Sequence, residues 1–374
     1  MLIGHNLLRD LRFLSLLLIK GNLPKALYIG YVGYGNLGDE ALKEAIFDLF
    51  RSTILFSESR GTVIRFYERI GLLKFNILFL GGGTLVLRSE NMLKRISDDN
   101  IPKKIVFGTG VANHIFWKDV PASYGKVDDW VNALNNVFYL SVRGPISAQI
   151  LKGHKVMRDI HVIGDPVLYF TREISRPKSR LKRLGVNIGY ALNENKKGFM
   201  WGRDEGLFFS KFMDFIETMI IDDWQIEFIP MNKEDETLID DLLLKDGLQK
   251  KVKVFRNYMS TQKTIDRMEG FDVFVGQKLH ATILAYCANT PAVMVEYRPK
   301  CRDFMSSIDM EHFNLRTDEF NVEKCKALVD ELYLDLDSIR FKSNRLCKGY
   351  KKDLIQAAQT VTDMVSSRQR ASLK

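Results

Sequence analysis

Residues 26–41 read ALYIGYVGYGNLGDEA, and this stretch decides the fold. Ala26 to Val32 is a short apolar, aromatic-rich run that stops at glycine. From Asp39 to Arg51, Leu42, Ile46, Leu49 and Phe50 recur at helical spacing. Strand, glycine turn and helix open a βαβ unit, and the pattern repeats outward. Ser52 to Phe56 is a candidate strand. Asn76 to Leu80 runs into Gly81-Gly82-Gly83, Lys104 to Phe107 into Gly108-Thr109-Gly110, Val137 to Val142 into Arg143-Gly144-Pro145, and His161 to Ile163 into Gly164-Asp165-Pro166. Strands that are apolar throughout are buried on both faces, as in a parallel sheet covered by helices. Glycine recurs at their carboxyl ends because the chain must turn sharply there.

Thr171 to Arg183 is rich in charge and reads as an interdomain linker. The alternation then restarts. Val186 to Leu192, Gln225 to Pro230, Val252 to Phe255, Asp272 to Val275 and Ala292 to Val295 read as strands, with Phe208 to Ile221 and Thr282 to Cys287 as helices. After Asp318 the pattern is helical, and Leu354, Ala358, Val361 and Val365 form an apolar stripe. The expected architecture is α/β: two doubly wound, Rossmann-like domains facing a cleft. Residues 1–170 form the N-terminal domain, 171–184 the linker, 185–338 the C-terminal domain and 339–374 a basic helical tail. Ligands of such sheets sit beyond the carboxyl ends of the strands, where these glycine loops lie.

A chain of 374 residues fits two domains. Hydrophobic residues at 46% and charged residues at 27% exclude collagen-like, fibrous and disordered classes. The formal charge is +9, but Ile339 to Lys374 holds nine Lys/Arg against two Asp/Glu, so the body is nearly neutral and not a uniformly basic nucleic-acid binder. Two arrangements of the tail are compatible. The apolar stripe packs on the N-terminal domain, and Arg340, Lys342, Arg345, Lys348, Lys351 and Lys352 form a patch for peripheral contact with an anionic membrane. Cys287, Cys301, Cys325 and Cys347 include no C-x-x-C pair and no accompanying His cluster, so no metal site is expected and a reducing, cytoplasmic setting is. Arg9 and Arg12 before Phe13 to Ile19 imitate a signal peptide, but Lys20 ends the apolar run and no small-residue cleavage site follows; Leu7 to Ile19 reads as a surface or packing helix.

The loop from Gly33 to Glu40 contains G-x-G-x-x-G, the dinucleotide fingerprint, and Glu58 falls 20 residues after Gly38. Asp39 and Glu40 argue against NAD. Carboxylates suit a helix N-terminus but repel a pyrophosphate placed there. Asn36, Asp39 and Glu40 suit hydrogen bonds from a neutral polyol such as a sugar, with a plain glycine turn and acidic helix start as the alternative. Gly82 and Gly83 can form an amide nest or let a ligand touch main chain, or simply pack a helix on a strand end. Gly108-Thr109-Gly110 reads the same way. Arg143, at a strand's carboxyl end, is placed as an anion-binding cation ahead of a structural ion pair. Val275 to Ala281 joins a strand end to a helix start with Lys278 and His280 straddling Leu279, a phosphate site in outline beside a group that can donate or accept a proton. Arg298 and Lys300 follow the next strand and add two cations. His5, His114, His154, His161 and His312 read as structural or surface residues.

Together these pieces resemble the polysaccharide pyruvyl transferase family, from about Tyr28 to about Phe304. The resemblance is carried by Gly35-Asn36-Leu37-Gly38-Asp39-Glu40-Ala41, Leu80-Gly81-Gly82-Gly83-Thr84, Gly108-Thr109-Gly110, Ser141-Val142-Arg143, Gly164-Asp165-Pro166 and Lys278-Leu279-His280-Ala281, then Pro291 and Tyr297-Arg298-Pro299-Lys300. The family usually has arginine where this chain has Lys278, which keeps the charge and loses the bidentate fork. The resemblance implies a two-domain fold similar to GT-B glycosyltransferases. It implies transfer of the enolpyruvyl carbons of phosphoenolpyruvate to two hydroxyls of one sugar, giving a cyclic pyruvate ketal and phosphate in cell-surface glycan synthesis. Lys278, Arg143, Arg298 and Lys300 would bind the donor and His280 protonate its methylene. Asp39 or Glu40 would take the hydroxyl proton from the opposite domain, and Asn36, Glu40, Gly82 and Gly83 would bind the acceptor. Phosphoenolpyruvate is then a co-substrate, no cofactor is tightly bound, and the sugar or glycan acceptor is nucleotide-linked, lipid-linked or polymeric. The competing reading is a GT-B glycosyltransferase using a nucleotide sugar, with Glu296 on the donor ribose; a third is a non-catalytic sugar- or nucleotide-binding protein.

Overall fold

The structure is a computed structural model that describes residues 2–58, 61–113, 116, 125–174, 181–191 and 200–371. The chain divides into two compact units. The first comprises 1–32, 42–166 and 352–374, the second 33–41 and 167–351. Both differ from the expected segments. The glycine loop 33–41 groups with the second unit although its flanking strand and helix belong to the first, and the basic tail is shared, dividing after Lys351.

The first unit holds a parallel sheet in the order β2-β1-β3-β5-β6-β7, formed by Lys25–Ile29 (β1), Leu55–Ser57 (β2), Ile77–Gly81 (β3), Lys103–Val111 (β5), Tyr139–Val142 (β6) and His161–Val162 (β7), with Thr84–Val86 (β4) paired to β5. Alternation along the strands sorts its two faces. Tyr28, Phe56, Phe79 and Phe107 share one face, where the rings of Phe47 from the helix Leu37–Leu49 (α2) and of Phe50 just after it pack on them edge-on or stacked. Leu27, Ile29, Leu78, Leu80, Val106 and Leu140 occupy the other, with Phe13 of the helix Leu2–Lys20 (α1) and Trp130 of a helix spanning Val127–Asn135. Burial on both faces is what the continuous apolar strands required. Leu354, Ala358, Val361 and Val365, on the helix Leu336–Ala371, are buried, and Lys103 Nζ donates to the Val365 carbonyl at 2.9 Å.

The strand β5 extends past its expected end. Gly108-Thr109-Gly110 lies inside it, across a register shift, rather than in a ligand loop.

The second unit holds a parallel sheet in the order β10-β9-β8-β11-β12-β13, from Arg183–Asn187 (β8), Gln225–Phe228 (β9), Lys253–Val254 (β10), Val273–Gly276 (β11), Ala292–Glu296 (β12) and Asn314–Arg316 (β13). This is the dinucleotide-fold order, with its switch point between β8 and β11. The next helix, Leu279–Cys287, is buried at every residue, which is why it shows no amphipathic stripe.

Four of the six tail charges expected in a surface patch have protein partners. Arg340, expected in a surface patch, is 3% exposed, donates to the Phe271 carbonyl and lies 4.0 Å from Asp272. Lys342 pairs with Asp309 and Lys348 with Glu173, and Lys351 donates to the Thr171 carbonyl. Part of the expected linker, 175–180, lies outside the described residues, as does the end of the strand expected to reach Leu192. Among the described residues no helix is long and apolar enough to cross a membrane.

Candidate active site

The switch point of the second sheet gathers the chemistry. Beyond β8, Asn187 Oδ1 accepts from the Lys278 amide at 2.9 Å while its Nδ2 donates to the Ile229 carbonyl at 2.8 Å. Gln277 Oε1 accepts from the Gly189 amide at 2.8 Å. These bonds tie the β8 and β11 ends together and fix where Leu279–Cys287 begins. Lys278 is the N-cap of that helix, so His280 stands in its first turn, 9% exposed.

Lys278 reaches across the strand ends. Its Nζ donates to the Tyr190 carbonyl and lies 3.4 Å from Asp235 Oδ1. Asp235 is fully buried, and its other oxygen accepts from the Met231 amide at 3.3 Å. Burial pushes the Asp235 carboxyl up, and the Lys278 ammonium pulls it back.

The glycine loop completes this unit. Leu37 donates its amide to the Met231 carbonyl at 2.9 Å, and Gly38 lies directly against His280. A Cβ at Gly38 would stand 2.3 Å from His280 Nδ1, so only glycine permits the approach. Asn36 Oδ1 accepts from the Gly38 and Asp39 amides at 3.0 and 3.3 Å, the bonding of an N-cap. Glu40 Oε1 accepts from the Gly33 amide at 2.6 Å. Asn36 and Glu40, expected to bind an acceptor, therefore build the loop. Asp39 was expected from the opposite domain; it groups with the histidine instead.

A second helix starts beside the first. Pro299–Ser307 follows β12, with Arg298 as its N-cap. Arg298 and Lys300 lie 5.0 and 4.9 Å from the Tyr297 ring centre, and Arg298 also donates to the Ala191 carbonyl at 3.4 Å. Tyr297 is buried, which pushes its hydroxyl up; Arg298 and Lys278 act downward on it and Asp39 upward. Arg298 and Lys300 thus flank this ring, and Lys278 and Asp39 act on it electrostatically.

Arg143, expected to bind the donor, is engaged inside the first unit. It is 1% exposed in the first unit, with Nη1 3.4 Å from Asp165 Oδ2 and Nη2 3.4 Å from Thr84 Oγ1. A Cβ at Gly110 would meet its guanidinium at 2.3 Å, so the Gly-Thr-Gly run makes room for a structural ion pair. The Gly82 amide donates to the Phe107 carbonyl and the Gly83 carbonyl accepts from the Gly110 amide, so these two glycines serve main-chain packing rather than an anion nest. Glu296 is 2% exposed, accepts from Trp201 Nε1 at 2.8 Å and from Asn314 Nδ2, and burial raises its carboxyl.

His312 bonds Glu331 at 2.9 Å and His161 stacks on Tyr139, both as surface residues. His114 lies outside the described residues, as does the side chain of His5. Sequence reasoning missed Asp235, hidden in the acidic run of residues 234–236, and Asn187, whose signal was only its place at a strand end.

The two Rossmann-like units give a two-domain fold of the GT-B class. S. aureus MnaA, solved with UDP, matches over 93% of this chain and 97% of its own with a TM-score of 0.60 at 9% identity. A UDP-glucosyltransferase from Polygonum tinctorium matches over 91% and 98% with a TM-score of 0.54 at 10% identity. A putative UDP-N-acetylglucosamine 2-epimerase from Listeria monocytogenes matches over 92% and 97%, also at 0.54 and 10%. Likeness at such identity is likeness of fold. No curated protein matches the chain in sequence. The polysaccharide pyruvyl transferase family model matches residues 36–299, from the helix cap Asn36 to the start of the Arg298 helix, and the chain belongs to that transferase family.

Proposed function

We propose that this protein transfers the pyruvyl group of phosphoenolpyruvate to two hydroxyls of one sugar, forming a cyclic ketal and phosphate. The observation that carries this is that the helices starting at Lys278 and Arg298 follow adjacent parallel strands, the first with a buried histidine in its opening turn. The donor bears a phosphate and a carboxylate. Two helix starts, each with a cation, supply two anion positions side by side. Lys300 adds charge beside the second.

In this reading His280 gives its proton to the donor methylene, leaving a cation at C2. A sugar hydroxyl attacks C2 and passes its proton to Asp39. The C2–O bond to phosphate then breaks, and the second hydroxyl closes the ketal. Of the two hydroxyl protons, one replaces the proton spent on the methyl group and one leaves on phosphate. Asp39, next in sequence to the Gly38 that touches His280, is the residue proposed to relay it. The donor is a cytoplasmic metabolite, and the four cysteines, none in a disulfide, suit a reducing setting.

A nucleotide-sugar reaction is less well supported, because Glu296, the residue that would hold a ribose, is enclosed by Trp201 and Asn314. The test is incubation of the purified chain with phosphoenolpyruvate, or with nucleotide sugars, across a panel of free, nucleotide-linked and lipid-linked sugars. Phosphate release with an acid-labile ketal on the sugar is expected. Nucleoside diphosphate release instead would replace this reading.

A further inference from the structure

The helix α1 presents a face that nothing described covers. Leu7, Leu8, Leu11, Leu18 and Ile19 are 47, 67, 49, 89 and 79% exposed. At about 100° per residue they fall with Ser15 in an arc of about 120°. The opposite side is firmly held: Phe13 is 3% exposed in the core, and buried Asp10 accepts from the Val63 and Ile64 amides. The face is therefore fixed outward rather than left over from a loosely packed helix. The helix it packs on, Thr62–Arg69, and the turn after it expose Phe66, Ile70 and Leu72 at 57, 48 and 69%.

Arg12 is exposed and falls just past the Ile19 edge of this arc. There a cavity of about 540 Å³ opens, lined by Arg9, Arg12, Lys20, Lys43 and Arg51 against only Asp48 and Glu58, with Leu8 on its rim. Glu58 is shared by Arg9 at 3.7 Å and Lys43 at 3.4 Å. An aliphatic face bordered on one edge by an excess of cations fits one kind of surface. We propose that α1 lies in the headgroup boundary of an anionic phospholipid bilayer, its leucines in the acyl region and the basic cavity on lipid phosphates.

A second copy of the chain fits less well. A helix of 19 residues offers a strip of about 28 by 10 Å, roughly 280 Å², against about 800 Å² per partner in a stable interface. The inference stands independently of the proposed reaction, since it concerns a different unit from Lys278 and His280.

The test is flotation of the full chain with phosphatidylcholine vesicles, with and without phosphatidylglycerol, at low and high salt. Binding is expected to the anionic vesicles and to fall several-fold, without vanishing, as salt screens the cations. Leu11→Gln with Leu18→Gln should lower the bound fraction at least about tenfold at either salt. Arg12→Glu with Arg51→Glu should remove mainly the salt-sensitive part. All four positions are exposed, and unchanged circular dichroism confirms folding. Equal binding by the leucine variant, no binding of the parent chain, or a concentration-dependent dimer that the leucine variant abolishes would each overturn the proposal.

Discussion

Gly38 and His280 are in direct contact: the loop backbone takes the space where any other residue's Cβ would strike the imidazole. The loop that looked like a nucleotide fingerprint is therefore the wall against which the histidine is held. Gly38→Ala should displace either the loop or the ring, at a cost of about 1–3 kcal/mol for an overpacked contact. Denaturant melts and turnover should both fall. A stable variant of normal turnover would show that the contact does not set the ring's position.

His280→Ala removes the proposed acid without creating a clash. Turnover should drop by about 10²–10⁴-fold with the fold intact. The readout is phosphate release at saturating donor, beside donor affinity by calorimetry. Near-normal turnover with both substrates bound would make the histidine a packing residue only.

Lys278 and Asp235 give a pH signature. Burial holds the Asp235 carboxyl above its unfolded value and Lys278 moderates the rise. A raised carboxyl contributes its stability below the unfolded value of about 3.9 and loses it as pH climbs through the folded one. Lys278→Ala removes the moderating charge, so its destabilisation should be larger at neutral pH than near pH 4. Asp235→Asn in the same background should flatten that dependence. Lys278→Ala should also lose about 1.5–3 kcal/mol of phosphoenolpyruvate binding, the scale of a charged hydrogen bond. A pH-independent cost would dissociate the pair from stability.

Arg143 separates stability from donor recognition. Arg143→Ala leaves Asp165 buried without its ion-pair partner, and about 3–5 kcal/mol of stability should go. Donor affinity of the protein that remains folded should be unchanged. A selective loss of donor binding at full stability would return this arginine to the site.

Much of this was readable beforehand, for stated physical reasons. Strands such as Ile77–Gly81 are apolar at every position because both faces are covered, and that run of letters is visible without coordinates. The placement of Lys278 and His280 at a strand end and helix start was legible, because the apolar run stops just before them. The roles of Asn36, Glu40 and Arg143 were not. Each has the composition of a ligand-binding residue and spends polar atoms on neighbours within a few residues or far along the chain, and composition does not record where a hydrogen bond goes. Asn314–Arg316 was missed as a strand because three residues carry no period.

The helix that carries His280 is enclosed on all sides, all nine of its residues buried. A segment with no solvent-facing surface has no cheap local opening; its amides exchange only when the surrounding unit comes apart. On the proposed role of His280, loss of activity on heating is expected to coincide with collapse of the second unit.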